Sequence, residues 1–99
     1  MTEKINKKIS DFFANQPIEK AWVFGSYARN EETPISDIDI LVSFSENAKI
    51  TLFTYVRIVN DLQRITGKKI DLVEEGQLKP FAYKSAEQEK LLIYERKTS

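Results

Sequence analysis

The segment from residue 37 to 42, which reads DIDILV, constrains the fold of this chain more than any other stretch. Side chains along a β-strand point alternately to the two faces of its sheet. On one face lie Ile38, Ile40 and Val42, and on the other lie Asp37, Asp39 and Leu41. The chain must therefore form a sheet that packs one face against other elements and carries two carboxylates on the opposite face.

Two more strands and four helical segments complete a predicted small α/β layer fold. The strands are Ala21–Phe24, which is aromatic and β-branched, and Lys69–Val73, in which Asp71 faces opposite to its apolar neighbours. Apolar residues at helical spacing predict a first helix that Pro17 ends, with Thr2 as its N-cap. A short helical stretch should follow at residues 27–31, and a last helix should begin near Pro80, with residues 91–94 packing its end.

The longest predicted helix covers residues 49–66. We expect one apolar stripe to face the core, formed by Leu52, Val56, Val59 and Leu62. Gly67 follows directly and is suited to a left-handed C-cap.

The composition limits the chemistry available to the chain. It has no histidine and no cysteine, which excludes a Ser-His-Asp triad, a disulfide and a thiolate metal site. Any acid–base or metal chemistry must use carboxylates, and hard oxygen ligands favour magnesium, calcium or manganese.

Length and charge narrow the classes of protein further. With 99 residues the chain has the size of one domain, so we predict a single domain over residues 1–99. Fifteen basic residues balance fifteen acidic ones, and without a basic stripe nucleic-acid binding is disfavoured. No segment resembles a signal peptide or a membrane span, so we expect a soluble cytoplasmic protein that does not bind membranes.

Three short motifs are candidates for the functional site. Gly25 and Ser26 close a strand and open a helical turn, where backbone N–H groups can bind phosphate. Asp37 and Asp39 share a strand face and can bind one or two divalent ions. Asp71 offers a third carboxylate that can share a metal and accept a proton. Taken singly, each has an ordinary alternative: a turn with an N-cap serine, a solvated strand face, or an edge aspartate paired with a nearby lysine.

Together these motifs resemble the minimal nucleotidyltransferase family of the DNA polymerase β-like nucleotidyltransferase superfamily. Its members typically read Gly-Ser-x-Ala-Arg, a spacer with proline, and Ser-Asp-x-Asp followed by apolar residues. This chain reads Gly25-Ser26-Tyr27-Ala28-Arg29, six further residues, Ser36-Asp37-Ile38-Asp39, and then the strand residue Asp71. The resemblance covers residues 21–73, and the C-terminal end is also similar.

The resemblance implies a mixed sheet flanked by helices and a role for each site residue. Gly25 and Ser26 would hold the triphosphate of ATP, and Asp37 and Asp39 would hold magnesium, with two ions expected. Asp71 would complete the metal site and act as the base. Arg29 is a candidate for balancing phosphate charge, although it could instead pair with Glu31 or Glu32. The chain departs from the family at Asn30, where glycine is common, but asparagine tolerates a left-handed backbone better than most residues.

The resemblance also implies a partner. Small stand-alone members resemble the antitoxins of two-gene toxin–antitoxin pairs, which transfer AMP from ATP to a tyrosine of an all-helical HEPN ribonuclease toxin. We therefore expect a magnesium-dependent protein adenylyltransferase. One alternative is a binding module that neutralises its partner by occlusion; the loss of a site aspartate would favour it, and all three are present. Another is a small-molecule nucleotidyltransferase whose acceptor pocket comes from a second subunit.

Overall fold

The computed structural model describes residues 3–75 and 90–96, which form a mixed sheet of four strands with two α-helices. The elements are α1 (Glu3–Phe13), β1 (Ile18–Phe24), β2 (Ile38–Phe44), α2 (Leu52–Thr66), β3 (Ile70–Glu74) and β4 (Leu91–Glu95). The predicted fold class, a small mixed sheet flanked by helices, is confirmed. Neither described helix is long and apolar enough to cross a membrane.

The strand order across the sheet is β3-β2-β1-β4. β1 pairs antiparallel with both β2 and β4, whereas β2 and β3 run parallel. Parallel neighbours need a crossover connection, and α2 provides it. Because of this arrangement, the end of β1 and the beginnings of β2 and β3 lie at the same end of the sheet.

One face of the sheet carries the core. The alternation predicted for β2 is confirmed there, because its three isoleucine and valine side chains are fully buried and pack with both helices. The main members of this core are Ile9, Phe13, Ile18, Val23, Ile38, Ile40, Val42, Ile58 and Leu62. The opposite face carries Asp39 and Asp71, so the polar candidates lie away from the packed helices.

The predicted apolar stripe of α2 is right for Val59 and Leu62, which lie against or in the core, and wrong for its first two members. Ile58 and Leu62 are buried, whereas Leu52 is 75% exposed and Val56 is 44% exposed. The buried face is centred instead on Tyr55, Ile58 and Leu62, which are also spaced at helical intervals. Because apolar residues occur on two overlapping stripes of this helix, periodicity alone could not decide which stripe faces the sheet.

The ends of α2 follow their local signals. The Thr51 hydroxyl accepts a hydrogen bond from the Thr54 N–H (3.2 Å), so the helix begins after Thr51 rather than at residue 49. Gly67 adopts the expected left-handed conformation (φ 69°), and its N–H donates to the Gln63 carbonyl at 2.8 Å.

The C-terminal segment corrects the sequence prediction. Residues 91–94 are extended rather than part of a helical segment, because Leu91–Glu95 forms β4 at the edge of the sheet, paired with β1. A short apolar run fits a strand as well as a helix, and here its strand partner is about 70 residues away in sequence. The predicted N-cap at Thr2 and the helix beginning near Pro80 lie outside the described residues.

Candidate active site

The register of the sheet places the candidate aspartates at the start of β2. Asp39 is the second residue of β2 and lies opposite Phe24 of β1 and opposite Asp71 of β3. Asp37 directly precedes the strand. Asp39 is half-buried, while Asp37 and Asp71 are exposed. The sheet therefore brings Asp71, which is distant in sequence, close to Asp39, and Asp37 is near enough to act on Asp39 electrostatically.

Gly25 lies against the Asp39 side chain. It follows the last residue of β1 and has a φ of 73°, in the left-handed region that disfavours other residues. A Cβ atom built on Gly25 would overlap Oδ2 of Asp39 and would lie 3.3 Å from its Cγ. Glycine is required here both by backbone conformation and by the space that the Asp39 carboxylate occupies.

A single 3-10 turn, Gly25–Tyr27, connects β1 to the loop before β2. The Gly25 carbonyl accepts hydrogen bonds from the N–H groups of Ala28 (3.0 Å) and Arg29 (3.2 Å). The predicted short helical stretch after this strand is present, but it begins at Gly25 and ends at Tyr27 instead of covering residues 27–31. In the described part of the chain, the Ser26 side chain makes no hydrogen bond and caps no helix.

Asn30 confirms that the turn tolerates its departure from the family pattern. Its φ is 57°, a left-handed conformation that asparagine adopts more readily than most residues other than glycine. The loop that follows is held by Ser36, whose hydroxyl accepts a hydrogen bond from the Thr33 N–H at 2.8 Å.

The electrostatic environment of Asp39 is unfavourable for its charged form. Burial is the main cause that raises the pKa of Asp39 from 3.8 to about 6. The nearby charges of Asp71 and Asp37 and a hydrogen bond to Asp71 raise the pKa further, while the positive charge of Arg29 lowers it by a smaller amount. A carboxylate removed from water beside other carboxylates is harder to ionise, so it retains its proton to a higher pH than an exposed carboxylate does. The free protein therefore carries a repulsion between carboxylates that a bound cation would relieve.

Arg29 is occupied locally. Its Nε donates to Oε2 of Glu31 at 3.0 Å, and both side chains are largely exposed. The pairing that the sequence left open as an alternative is present, yet Arg29 is close enough to Asp39 to lower its pKa slightly. A contact between Arg29 and a nucleotide stays a prediction.

The donor set suits a hard divalent cation, although the geometry is not a closed cage. Across residues 3–75 and 90–96, no group of three or more histidine, cysteine, aspartate or glutamate side chains is arranged to hold a metal ion. Asp39 and Asp71 nevertheless face each other on neighbouring strands, and no basic side chain of the described residues forms a salt bridge with either. Two such oxygen donors, one with a raised pKa, fit magnesium, and Asp37 is the nearest further ligand by sequence.

A separate cavity of about 390 Å³ lies between α1, the 3-10 turn and β4. Apolar side chains and two amides, those of Asn6 and Asn30, line it, and none of the candidate aspartates does. The carboxylate site is thus an open surface at the strand ends rather than this cavity.

Known proteins are similar to this chain in sequence and in fold. The family model described as "Polymerase beta, Nucleotidyltransferase" matches residues 7–99. A candidate protein adenylyltransferase of Methanocaldococcus jannaschii is 38% identical over 78% of this chain and 81% of its own length.

Two solved structures share the fold at low sequence identity. A chain of a toxin-antitoxin structure with AMP-PNP aligns with a TM-score of 0.77 and 17% identity, covering 92% of this chain and 73% of that one. A chain from the complex of a tri-AMPylated Shewanella oneidensis HEPN toxin with an MNT antitoxin aligns with a TM-score of 0.73 and 16% identity, covering 97% of this chain and 74% of that one.

The raised pKa of Asp39 predicts how the stability of the metal-free protein depends on pH. The folded protein holds a proton on Asp39 up to about pH 6, whereas the unfolded chain releases it near pH 4. The contribution of Asp39 is therefore neutral below about pH 4, becomes destabilising as pH rises from about 4 to about 6, and changes little at higher pH. After a discount for solvent screening of the carboxylate, Asp39→Asn should stabilise the metal-free protein at pH 7.5 by about 1 kcal/mol, which is roughly 4–8 °C in Tm.

The measurement is thermal unfolding in a chelator at several pH values between 4 and 8. The stability difference between Asp39→Asn and wild type should be small near pH 4 and should grow through pH 6. A difference that stays constant over this range would contradict the raised pKa.

The contact between Gly25 and Asp39 predicts a specific effect of Gly25→Ala. Gly67→Ala is its matched control, because Gly67 has almost the same φ but nothing within 4 Å of its added Cβ. Both substitutions should cost about 1 kcal/mol of stability from the left-handed backbone. Only Gly25→Ala should also abolish the rise in Tm caused by ATP with magnesium, since its methyl group displaces the Asp39 carboxylate. An equal ATP response in both variants would show that this contact does not matter for binding.

Proposed function

This chain belongs to the polymerase β nucleotidyltransferase family, and on that premise we propose that it transfers AMP from ATP to a hydroxyl group of a partner protein. The observation that carries the proposal is the pairing of Asp39 with Asp71 on adjacent strands beside Gly25. Such a set of carboxylates next to a glycine turn suits phosphoryl chemistry that needs no histidine or cysteine.

Each residue has a defined task in this reaction. The turn at Gly25 and Ser26 would receive the phosphates through backbone N–H groups, and Asp37, Asp39 and Asp71 would hold magnesium. When bound, magnesium supplies positive charge that offsets the charge of the triphosphate. Asp71 is exposed, so its carboxylate is accessible to an incoming acceptor. It would accept the proton of the attacking hydroxyl as the new oxygen–phosphorus bond forms and pyrophosphate leaves.

The acceptor that fits best is a tyrosine of a HEPN toxin, which makes this chain the antitoxin of a pair. Two similar proteins support the assignment: the M. jannaschii relative named as a candidate protein adenylyltransferase, and the MNT antitoxin that was solved in complex with an AMPylated HEPN toxin. The zero net charge of the chain also favours a protein over a nucleic acid as the acceptor. We expect the pair to act in the cytoplasm, where ATP and magnesium are abundant.

The first test is direct transfer to the partner. The protein is incubated with α-labelled ATP, magnesium and the protein encoded by the neighbouring gene, and the labelled residue is located by mass spectrometry. AMP on a partner tyrosine is expected, and Asp37→Asn or Asp39→Asn should abolish it. Asp11→Asn, which removes the same charge from an exposed position on α1, is the matched control and should transfer normally.

The same assay separates the alternatives. If Asp39→Asn transfers nothing and yet still blocks the toxin, occlusion rather than catalysis is the neutralising event. Label that appears only on a small metabolite or on RNA would overturn the protein acceptor.

A second prediction concerns Asp71. Because it acts as the hydroxyl proton leaves, Asp71→Asn should lower kcat by about 10²–10⁴-fold, the usual contribution of general base catalysis, and should change ATP binding much less. Steady-state kinetics and ATP-dependent thermal shifts measure the two effects separately. Wild-type turnover in Asp71→Asn would show that Asp71 is not the base and is an ordinary residue of the edge strand.

A further inference from the structure

The edge strand β3 is held on its outer side by two side chains of α2. β3 has β2 as its only neighbour in the described sheet, so its far side presents backbone groups without a strand partner. The Ile70 N–H donates to Oε1 of Gln63 at 3.3 Å, and the Tyr55 hydroxyl donates to the Leu72 carbonyl. These two bonds lie immediately before and immediately after Asp71.

The direction of the backbone groups explains why Asp71 itself needs no such bond. Successive residues of a strand point their N–H and C=O groups to opposite sides. The Lys69 carbonyl accepts from the Ile38 N–H at 2.9 Å, so residues 69 and 71 point toward β2 while residues 70 and 72 point toward α2. The backbone of Asp71 is therefore fixed to β2, and both of its neighbours are fixed to α2.

The side chain of Asp71 has little else to hold it in place. It is exposed, and apart from its electrostatic effect on Tyr55 its described side-chain interaction is with Asp39. Its position relative to Asp39 thus depends on the backbone of β3, where a shift would move the carboxylate directly. In contrast, Asp39 is half-buried on an inner strand with neighbours on both sides.

The Tyr55 hydroxyl is suited to a permanent donor role. Burial, and to a lesser extent the charge of Asp71, raises the pKa of Tyr55 above its ordinary value. The hydroxyl therefore keeps its proton throughout the physiological range. Gln63 is uncharged, so neither bond on the outer side of β3 depends on pH.

We propose that Tyr55 and Gln63 are positioning residues, which hold β3 from its outer side so that Asp71 stays opposite Asp39. The inference rests on the proposed function, in which Asp71 accepts the proton of the attacking hydroxyl. Neither residue touches the reacting atoms; each acts through the backbone beside Asp71. Weakening these bonds should therefore lower the rate of the chemical step and leave ATP affinity nearly unchanged.

The kinetic experiment uses Tyr55→Phe and Gln63→Met, which remove the donor and the acceptor while keeping side-chain volume. Each should lower kcat for AMP transfer by about tenfold, as expected for a small displacement of a catalytic group, with KM for ATP within about twofold of wild type. The matched controls are Tyr94→Phe and Gln16→Met, whose side-chain polar groups make no hydrogen bond within the described residues. Both controls should retain wild-type kcat.

A second readout tests the bonds without any turnover. In Gln63→Met the Ile70 amide loses its acceptor, so its hydrogen exchange in the metal-free protein should be at least about tenfold faster. The Gln16→Met control should leave that exchange unchanged. If Tyr55→Phe fails to fold, Gln63→Met still tests the proposal, because it replaces one half-buried side chain by another of similar size.

The outcomes separate this proposal from the proposed function. If the wild type modifies no protein, the proposed function fails. If the Ile70 exchange rate is also unchanged in Gln63→Met, the positioning role of Gln63 is overturned as well. If the wild type transfers AMP while both variants keep kcat within twofold, the proposed function stands and the positioning role is overturned. A rise in KM with unchanged kcat would also overturn it, because the bonds would then serve nucleotide binding.

Discussion

The register of β2 against its two neighbours is the constraint on which the candidate site depends. It sets Asp39 between the end of β1 and Asp71 of β3, so that one residue meets both the glycine turn and a second carboxylate. A slip of one residue would turn every side chain of β2 to the other face. It would expose the isoleucines of the core and bury Asp39. Core packing and site assembly are therefore consequences of the same register.

The site that results is unfavourable in the free protein, which is consistent with a function that brings in positive charge. Asp39 loses hydration and lies near other carboxylates, and these effects raise its pKa to about 6. A fold selected only for stability would place a neutral residue there. The local destabilisation is offset by the apolar face behind Asp39, where Ile38 and Ile40 are fully buried.

α2 links the core to the site. Its inner face buries Ile58 and Leu62 against the sheet, while Tyr55 and Gln63 bond to the backbone on either side of Asp71. The same helix is the crossover that makes β2 and β3 parallel. Because the parallel arrangement sets the starts of these strands side by side, the helix determines both which carboxylates meet and how firmly they are held.

Local chemistry made part of this protein predictable from its sequence. Alternation placed Asp39 on the face opposite the core, the Gly-Ser and Asp-x-Asp motifs resembled those of the family, and Gly67 marked the end of α2. Each of these signals is carried by residues that are close together in the sequence. The roles of the site residues in binding metal and nucleotide stay predictions.

Only the tertiary structure decided which of two apolar stripes of α2 faces the sheet, that residues 91–95 form an edge strand, and that Gly25 touches Asp39. The hydrogen bonds of Tyr55 and Gln63 to the backbone beside Asp71 had no signal in the sequence. These features depend on contacts between segments far apart in the chain, and such contacts form where the summed burial and hydrogen bonding of whole elements is most favourable. A local sequence pattern limits the secondary structures and orientations that a segment can adopt, whereas packing determines which of them forms.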